Sequence, residues 1–299
     1  MKILLLTHPM PATPFAAAIA AMAPDLRMVE YRKDIDDAEL ADVDVVLGWQ
    51  MPRGLARRMP RLRWVCAVAA GVDKLLADDL PASVPVSRIV DTEQADGIAQ
   101  FVVLMALRHA RALPMYEAQQ REHRWRRSPV AAVRSRVGVL GTGAMGGVVA
   151  KLLAAVGFEV RGWSRSSAEP LEAVLGASDI VVCALPLTPE TQGLLDARTL
   201  AAMPPGSYLI NVARGGHVVE PDLIAAVRSG HLAGAALDVQ RHEPMPAEDP
   251  LWDVPGITIT PHIAAQPSVA TIVAQFVEGV RCIECGAAPP QAIDRARGY

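Results

Sequence analysis

The chain has few cysteines, and their placement indicates no metal site. Only four of its 299 residues are cysteines. Cys66 and Cys183 lie inside apolar segments and are expected to be small core side chains. Cys282 and Cys285 have CxxC spacing, but there is no second pair and no nearby histidine to complete a zinc site. This usage is typical of a reducing cytoplasm, and we predict no bound metal.

Net charge and long apolar runs are also scarce. A net charge of −3 provides no general attraction to nucleic acid or to an anionic membrane. No apolar run approaches the roughly 20 residues that a membrane helix needs. Lys2 and the apolar residues 3–6 resemble a signal peptide, but Pro9 and Pro11 interrupt an apolar region that should run about 7–15 residues. We therefore predict a cytoplasmic protein with no nucleic-acid or membrane partner.

Short apolar runs alternate with helical stretches through the first 95 residues, which predicts a parallel α/β sheet. A hydrophobic fraction of 51% supports a large core and excludes disorder. The predicted strands are residues 3–6, 43–47, 64–67 and 86–89. The predicted helices are residues 15–22 and 75–79, followed by a long helix over 94–111.

A second α/β series begins at residue 137. Its six predicted strands are residues 137–140, 159–163, 180–184, 208–212, 235–239 and 257–260. Six strands match a full dinucleotide-binding sheet. The arginine-rich segment 121–136 is interpreted as a solvated connector or an oligomer arm rather than a nucleic-acid patch. A last helix over 269–284 is expected to return to the first domain. We therefore predict a substrate domain of residues 1–95 and 271–299, and a dinucleotide-binding domain of residues 96–270.

A glycine-rich loop follows the first strand of this second series. Gly141, Gly143 and Gly146 form G-x-G-x-x-G between a strand and a helix. The three glycines would allow a tight turn, close approach of a pyrophosphate and close helix packing, respectively. The helix N-terminus would then present free N–H groups to the phosphates. The remaining predicted cofactor contacts are Ala144, Met145, Leu185, Pro186 and Val212.

The end of the next strand bears on which dinucleotide binds. Sites for NAD usually place an acid there, on the ribose hydroxyls. Here Ser164, Arg165 and Ser166 occupy that end, and Glu159 lies at the far end, roughly 16 Å away at about 3.3 Å per residue. Arg165 could pair with a 2′-phosphate. This pattern favours NADP(H) as the cofactor, with NAD(H) as the alternative. Arg165 could also be an ordinary surface residue that binds no ligand.

Three polar residues follow consecutive predicted strands: Arg214, Glu243 and His262. Ligands of open α/β sheets bind at such strand ends. A guanidinium binds a carboxylate through paired donors. An imidazole titrates near neutral pH, and a carboxylate partner favours its charged form. Each residue alone could be a surface or core group. Together they suit reduction of a 2-oxo acid.

These residues resemble the D-isomer-specific 2-hydroxyacid dehydrogenases over nearly the whole chain, and within that family the glyoxylate/hydroxypyruvate reductase A branch. The segments that carry the resemblance are residues 141–146, 211–215, 236–239, 243–246 and 260–264. Trp49, Ser164–Arg165 and the ending 294–299 support the branch.

The resemblance implies a homodimer of two doubly wound parallel-sheet domains, one Rossmann-type and one flavodoxin-like, with the active site in the interdomain cleft. It implies Arg214 as substrate binder, His262 as acid/base and Glu243 as its partner. It also implies that the backbone of Ala70, Gly71 and Val72 receives the substrate carboxylate. Trp49 would shape a small pocket, and Asp238 would hold the nicotinamide carboxamide.

The expected activity is NADPH-dependent reduction of glyoxylate and hydroxypyruvate to glycolate and D-glycerate. The alternatives are an enzyme for a bulkier 2-oxo acid and a dinucleotide-sensing protein without turnover. Glu243 stands where formate-oxidising relatives have Gln. Three departures from the family stand out: Gln240 for a common Phe, Gln100 for a common Glu, and a segment of about a dozen residues between Arg165 and Ser178 that is shorter than usual.

Overall fold

The computed structural model describes residues 1–127 and 135–295. The chain forms two compact units, Met1–Thr92 with Gln266–Tyr299 and Glu93–Ala265. Both structural boundaries lie a few residues earlier along the chain than the predicted ones. Parts of the predicted 121–136 connector and of the 294–299 ending lie outside the described residues.

The described residues form a series of β-strands and α-helices in two groups. The strands are β1 (Lys2–Leu6), β2 (Arg27–Glu30), β3 (Val45–Gly48), β4 (Trp64–Ala67), β5 (Val86–Ser87), β6 (Arg136–Leu140), β7 (Glu159–Trp163), β8 (Ile180–Cys183), β9 (Ser207–Asn211), β10 (Leu232–Leu237) and β11 (Ile257–Ile259). The helices are α1 (Thr13–Met22), α2 (Asp37–Leu40), α3 (Thr92–Ala110), α4 (Leu113–Arg121), α5 (Ala144–Ala155), α6 (Leu171–Gly176), α7 (Ala197–Ala201), α8 (Glu220–Arg228) and α9 (Val269–Glu284).

The first unit is built on a parallel sheet of order β2-β1-β3-β4-β5 within the described residues. This is the flavodoxin-like order. Its central strands β3 and β4 are buried along their whole length, as expected of apolar runs covered on both faces. The half-exposed edge strand β2 was missed because its polar residues break the apolar pattern. The predicted helix over residues 75–79 is wrong, because these residues form turns.

Helix α9 packs into the first unit, although it follows the whole second unit in sequence. Phe276 of α9 stacks on Trp64 of β4 with ring centroids 5.4 Å apart. A Cβ atom at Gly279 would lie 2.2 Å from the same indole ring. The glycine therefore lets the helix approach the tryptophan closely, and the predicted bounds of this helix agree with the structure.

The second unit contains a parallel sheet of order β11-β10-β9-β8-β6-β7 within the described residues. A full dinucleotide sheet has a further strand outside its second one. Here β7 is that second strand and forms the edge, with a mostly exposed burial pattern. The short segment after Arg165 leads directly into α6, so it leaves no length for the outer strand. All six predicted strands therefore join one sheet, but among the described residues their order lacks the strand outside the second one, and the predicted class of two parallel α/β domains is confirmed.

Candidate active site

The glycine-rich loop joins β6 to α5 with the geometry that a phosphate site requires. Gly141 has a φ of +95°, and a Cβ atom there would lie 2.6 Å from the carbonyl oxygen of Ala184. A Cβ atom at Gly146 would lie 1.7 Å from the carbonyl oxygen of Gly141. A Cβ atom at Gly143 would meet nothing within 4 Å, and this residue begins α5 without a side-chain cap. The helix N-terminus is thus open and suited to a pyrophosphate. Ala144 and Met145 form its first turn.

Three hydroxyl groups cluster after β7. The Ser164 Oγ lies 3.0 Å from the Ser166 Oγ and 3.2 Å from the Ser167 Oγ. The Ser167 Oγ also accepts the Ser164 N–H at 2.9 Å, which closes a tight turn. Arg165 lies between Ser164 and Ser166 in the sequence. Its guanidinium is 3.5 Å from the Glu190 carboxylate, and both side chains are solvent-accessible. The turn therefore presents hydroxyl donors and a cation together, which suits a phosphate monoester.

The carboxyl ends of β9, β10 and β11 bring the predicted catalytic residues to one edge of the sheet. The Asp238 N–H donates to the Asn211 carbonyl and the Thr260 N–H to the Leu237 carbonyl, so pairing continues past the strands. Arg214 follows β9, Glu243 follows β10 and His262 follows β11. Leu185, Pro186 and Val212 follow β8 and β9 at the same edge.

Glu243 and His262 form a hydrogen-bonded pair. The His262 Nδ1 lies 3.1 Å from the Glu243 Oε2, and both side chains are partly exposed. The other carboxylate oxygen of Glu243 accepts the Gln240 N–H at 3.2 Å. A carboxylate held in this way fixes the ring orientation and stabilises an imidazolium. The pair can therefore orient a proton donor and support its charge.

The backbone of Arg214 is anchored by its neighbours. Its carbonyl oxygen accepts from the Asn211 Nδ2 at 2.9 Å and lies 2.9 Å from the His217 Nδ1. A Cβ atom at Gly215 would lie 2.0 Å from the carbonyl carbon of Gln240, so the glycine lets the Arg214 segment pack on the segment that leads to Glu243. Neither His217 nor Asn211 was among the predicted site residues. Both residues lie within three positions of Arg214 in the sequence, and this closeness is the signal that could have identified them.

Asp238 fixes the turn that carries His262. Its side chain is 1% exposed and accepts the Ile263 N–H at 2.8 Å, the Ala264 N–H at 2.9 Å and the Thr260 hydroxyl at 2.6 Å. His262 itself has a φ of +57°, which few non-glycine residues adopt. These hydrogen bonds hold the histidine in that conformation. This contribution of Asp238 was not expected, and its predicted contact with the nicotinamide stays a prediction.

Gln240, noted above as a departure from the family, links the ends of two strands. It is 6% exposed, and its Nε2 donates to the Leu237 carbonyl at 2.9 Å and to the Thr260 carbonyl at 3.3 Å. Its backbone N–H reaches Glu243. The side chain therefore forms hydrogen bonds between the segments that carry Glu243 and His262.

The other predicted substrate residues belong to the first unit. Trp49 directly follows β3, and the Lys74 ammonium lies 5.0 Å from the centroid of its ring. Ala70, Gly71 and Val72 follow β4, and the preceding carbonyl of Ala69 accepts the Ile89 N–H at 3.0 Å. Their predicted contacts with substrate stay predictions.

Two features were not found in the described part of the chain: a cluster of metal ligands and a helix that could span a membrane. Among residues 1–127 and 135–295, no three histidine, cysteine or acidic side chains are grouped to hold a metal ion. None of the helices described there has the length and apolar character to cross a membrane.

Comparison with known proteins agrees with this geometry. The family of D-isomer specific 2-hydroxyacid dehydrogenases, NAD binding domain, matches residues 103–264. Glyoxylate/hydroxypyruvate reductase A of Serratia proteamaculans is 38% identical over 274 residues, covering 86% of this chain and 88% of the relative. The reductase of the same name from Yersinia enterocolitica is 34% identical over 306 residues, covering 96% of each chain.

Solved structures show the same likeness. A D-isomer specific 2-hydroxyacid dehydrogenase from Xanthobacter autotrophicus, in complex with NADPH and MES, is 40% identical with a TM-score of 0.89 and covers 100% of this chain and 99% of its own. An NADPH-dependent glyoxylate/hydroxypyruvate reductase from Sinorhizobium meliloti, in complex with NADP and sulfate, is 31% identical with a TM-score of 0.90 and the same coverage. The predicted oxidoreductase with a Rossmann-type nicotinamide dinucleotide domain is confirmed, and the chain belongs to the D-isomer specific 2-hydroxyacid dehydrogenase family.

Proposed function

We propose that this protein reduces glyoxylate and hydroxypyruvate to glycolate and D-glycerate with NADPH. The observation that carries the proposal is the hydrogen bond between His262 Nδ1 and Glu243 Oε2, on strand ends adjacent to Arg214. A cation, an acid and an imidazole at one sheet edge meet the needs of a 2-oxo acid, whose carboxylate must be bound and whose carbonyl oxygen must gain a proton.

The Arg214 guanidinium, which stays positively charged at any working pH, neutralises the substrate carboxylate. It binds one carboxylate oxygen and the carbonyl oxygen together. His262 faces Glu243 through Nδ1 and donates its proton to the developing alkoxide from Nε2. Glu243 remains ionised throughout and stabilises the imidazolium until the proton has moved. The proton thus passes from His262 to the 2-oxygen of the product, and solvent later restores it.

The residues after β6 and β7 fit a phosphorylated dinucleotide. The open helix N-terminus at Gly143 suits the pyrophosphate, and Arg165 with Ser164 and Ser166 suits the 2′-phosphate. When bound, the dinucleotide supplies the hydride that the 2-oxo carbon receives. The NADPH named with the Xanthobacter and Sinorhizobium structures supports the choice of cofactor.

Turnover is tested by stopped-flow loss of NADPH absorbance with glyoxylate, hydroxypyruvate and a branched 2-oxo acid. We expect the two small acids to react and His262→Ala to lose about 10²-fold or more in rate. The matched control is His242→Ala, which changes a neighbouring histidine of the Glu243 loop. A wild-type rate no faster than that of His262→Ala overturns the proposal. Tight NADPH binding without turnover indicates a sensing protein, and preference for the branched acid indicates a bulkier substrate.

Cofactor preference is tested separately at Arg165. We expect Arg165→Ala to raise the Kd for NADPH about tenfold, which is the loss of one charge-assisted contact, and to leave the Kd for NADH unchanged. Glu190→Gln is the matched control, because it removes the acid 3.5 Å from the guanidinium and keeps the cation. It should tighten NADPH binding slightly. Equal weakening of NADPH and NADH by Arg165→Ala contradicts the assignment.

We also propose a cytoplasmic homodimer. Helices α3 and α4 expose Leu104 at 57% and Leu113 at 45%, and Trp125, which follows α4 in the chain, is 97% exposed. Large apolar side chains exposed in this way are typical of a surface covered by a partner. Light scattering of the wild type and of Leu104→Glu tests the proposal. A wild-type monomer would contradict it.

A further inference from the structure

His217 is a buried imidazole beside Arg214 that the proposed reaction does not use. Its side chain is 0% exposed. The ring Nδ1 lies 2.9 Å from the carbonyl oxygen of Arg214, and the ring Nε2 lies 3.3 Å from the carbonyl oxygen of Pro186. Carbonyl oxygens only accept, and a neutral imidazole carries one N–H. Both contacts are hydrogen bonds only when the ring is an imidazolium.

The surroundings favour this charged form. Burial alone lowers the pKa of His217, but the Cys183 sulfur and the two carbonyl oxygens outweigh burial and raise that pKa to about 9. Cys183 ends β8 and faces the ring from there. The two carbonyl contacts and this raised pKa both favour a ring that donates from each nitrogen, in a place that solvent does not reach.

The two carbonyl groups belong to segments with different tasks. The Arg214 carbonyl also accepts from the Asn211 side chain at 2.9 Å and from the His217 backbone N–H at 3.2 Å. The Pro186 carbonyl also accepts from the Thr191 hydroxyl at 2.7 Å. His217 thus links the segment after β8, where we predict cofactor contacts, to the segment after β9 that carries the substrate-binding arginine.

We propose that His217 is a positioning residue that holds the backbone of Arg214 against the segment after β8, and so aligns the guanidinium with the two adjacent oxygens of a 2-oxo acid. The proposal rests on the proposed function for the role of Arg214. It adds a residue that acts through that arginine and does not itself contact the substrate.

The test uses oxalate, which presents adjacent oxygens like a 2-oxo acid and cannot be reduced. Its Kd for the NADP⁺-loaded protein is measured by calorimetry, so the readout does not depend on turnover. We expect His217→Leu to weaken oxalate binding about tenfold, the loss of one charge-assisted hydrogen bond. His217→Gln keeps two amide N–H donors and should retain most of the affinity. His231→Gln is the matched control, because His231 bonds a single carbonyl, that of Leu200, elsewhere in the same unit.

A double-mutant cycle separates positioning from a general structural role. If His217 acts through Arg214, His217→Leu has no further effect on oxalate affinity in the Arg214→Ala background. Unchanged affinity in His217→Leu, or the same loss in both backgrounds, overturns the proposal. Should His217→Leu fail to fold, His217→Asn replaces it, since its shorter amide does not span both carbonyls. Absent turnover of the wild type with glyoxylate would overturn the proposed function alone, because oxalate binding reports on Arg214 independently.

Discussion

Replacing Asp238 by Asn should detach the turn that carries the catalytic histidine. The buried carboxylate accepts three hydrogen bonds of 2.6–2.9 Å, two of them from the backbone N–H groups that directly follow His262. An amide has one acceptor oxygen, so at least one N–H group would face an NH₂ group and lose its partner. A hydrogen bond to a charged group contributes about 1.5–3 kcal/mol, and an orphaned buried donor costs about 1–3 kcal/mol.

We therefore expect Asp238→Asn to lower the free energy of unfolding by about 3 kcal/mol. Its kcat for glyoxylate should fall more than tenfold, because His262 at a φ of +57° depends on this turn and the left-handed region costs about 1–2 kcal/mol per residue. Urea unfolding and steady-state kinetics measure the two effects. The Kd for NADPH, from fluorescence quenching, reports separately on the predicted contact with the nicotinamide carboxamide.

Thr260→Val is the matched control for this change. It removes only the hydroxyl at 2.6 Å from the Asp238 carboxylate and leaves both backbone hydrogen bonds in place. We expect a loss of about 1 kcal/mol and a small change in kcat. If Asp238→Asn kept wild-type stability and kcat while weakening NADPH binding, Asp238 would serve the cofactor and not the turn, and the reasoning would be refuted.

Three further changes test other parts of the site. Glu243→Gln should keep the hydrogen bond to His262 and lower kcat for reduction about tenfold to a hundredfold, because it removes the negative charge beside the proposed proton donor; a kcat equal to that of the wild type would contradict this. Gly215→Ala should lower the melting temperature and kcat together, because its Cβ would lie 2.0 Å from the Gln240 carbonyl carbon. His217, with its pKa raised to about 9, should contribute stability that is fully present below about pH 6.5 and is lost as the pH rises through 9. Urea unfolding should show up to about 3 kcal/mol of this loss in the wild type and none in His217→Gln.

The placement of Arg214, Glu243 and His262 at one edge of the sheet could be predicted because it depends on a general property of parallel sheets. Apolar runs marked the strands, and residues after consecutive strands necessarily meet at one edge. The helix over Val269–Glu284 was also accessible, since its apolar positions repeat with helical spacing. Strand β2 and the non-helical backbone of residues 75–79 could not be predicted in this way. An edge strand with polar residues shows no alternation, and a short apolar stretch does not distinguish a helix from turns.

The cross-linking roles of the residues around Arg214, Glu243 and His262 escaped prediction for a different reason. Asp238, His217 and Gln240 are polar and at most 6% exposed, so their value comes from partners distant in sequence. A buried polar group is costly unless its hydrogen bonds are made, and each of these side chains bonds the backbone at a strand end other than its own. Periodicity reports which face of an element is apolar, and it carries no information about such cross-links. We therefore infer that the buried polar side chains at this edge of the sheet serve the site, because each one fixes the backbone near Arg214, Glu243 or His262. For that reason we expect the two conservative variants to behave differently. Asp238→Asn loses an acceptor and should lose stability and kcat, whereas His217→Gln keeps its donors and should retain most of the oxalate affinity.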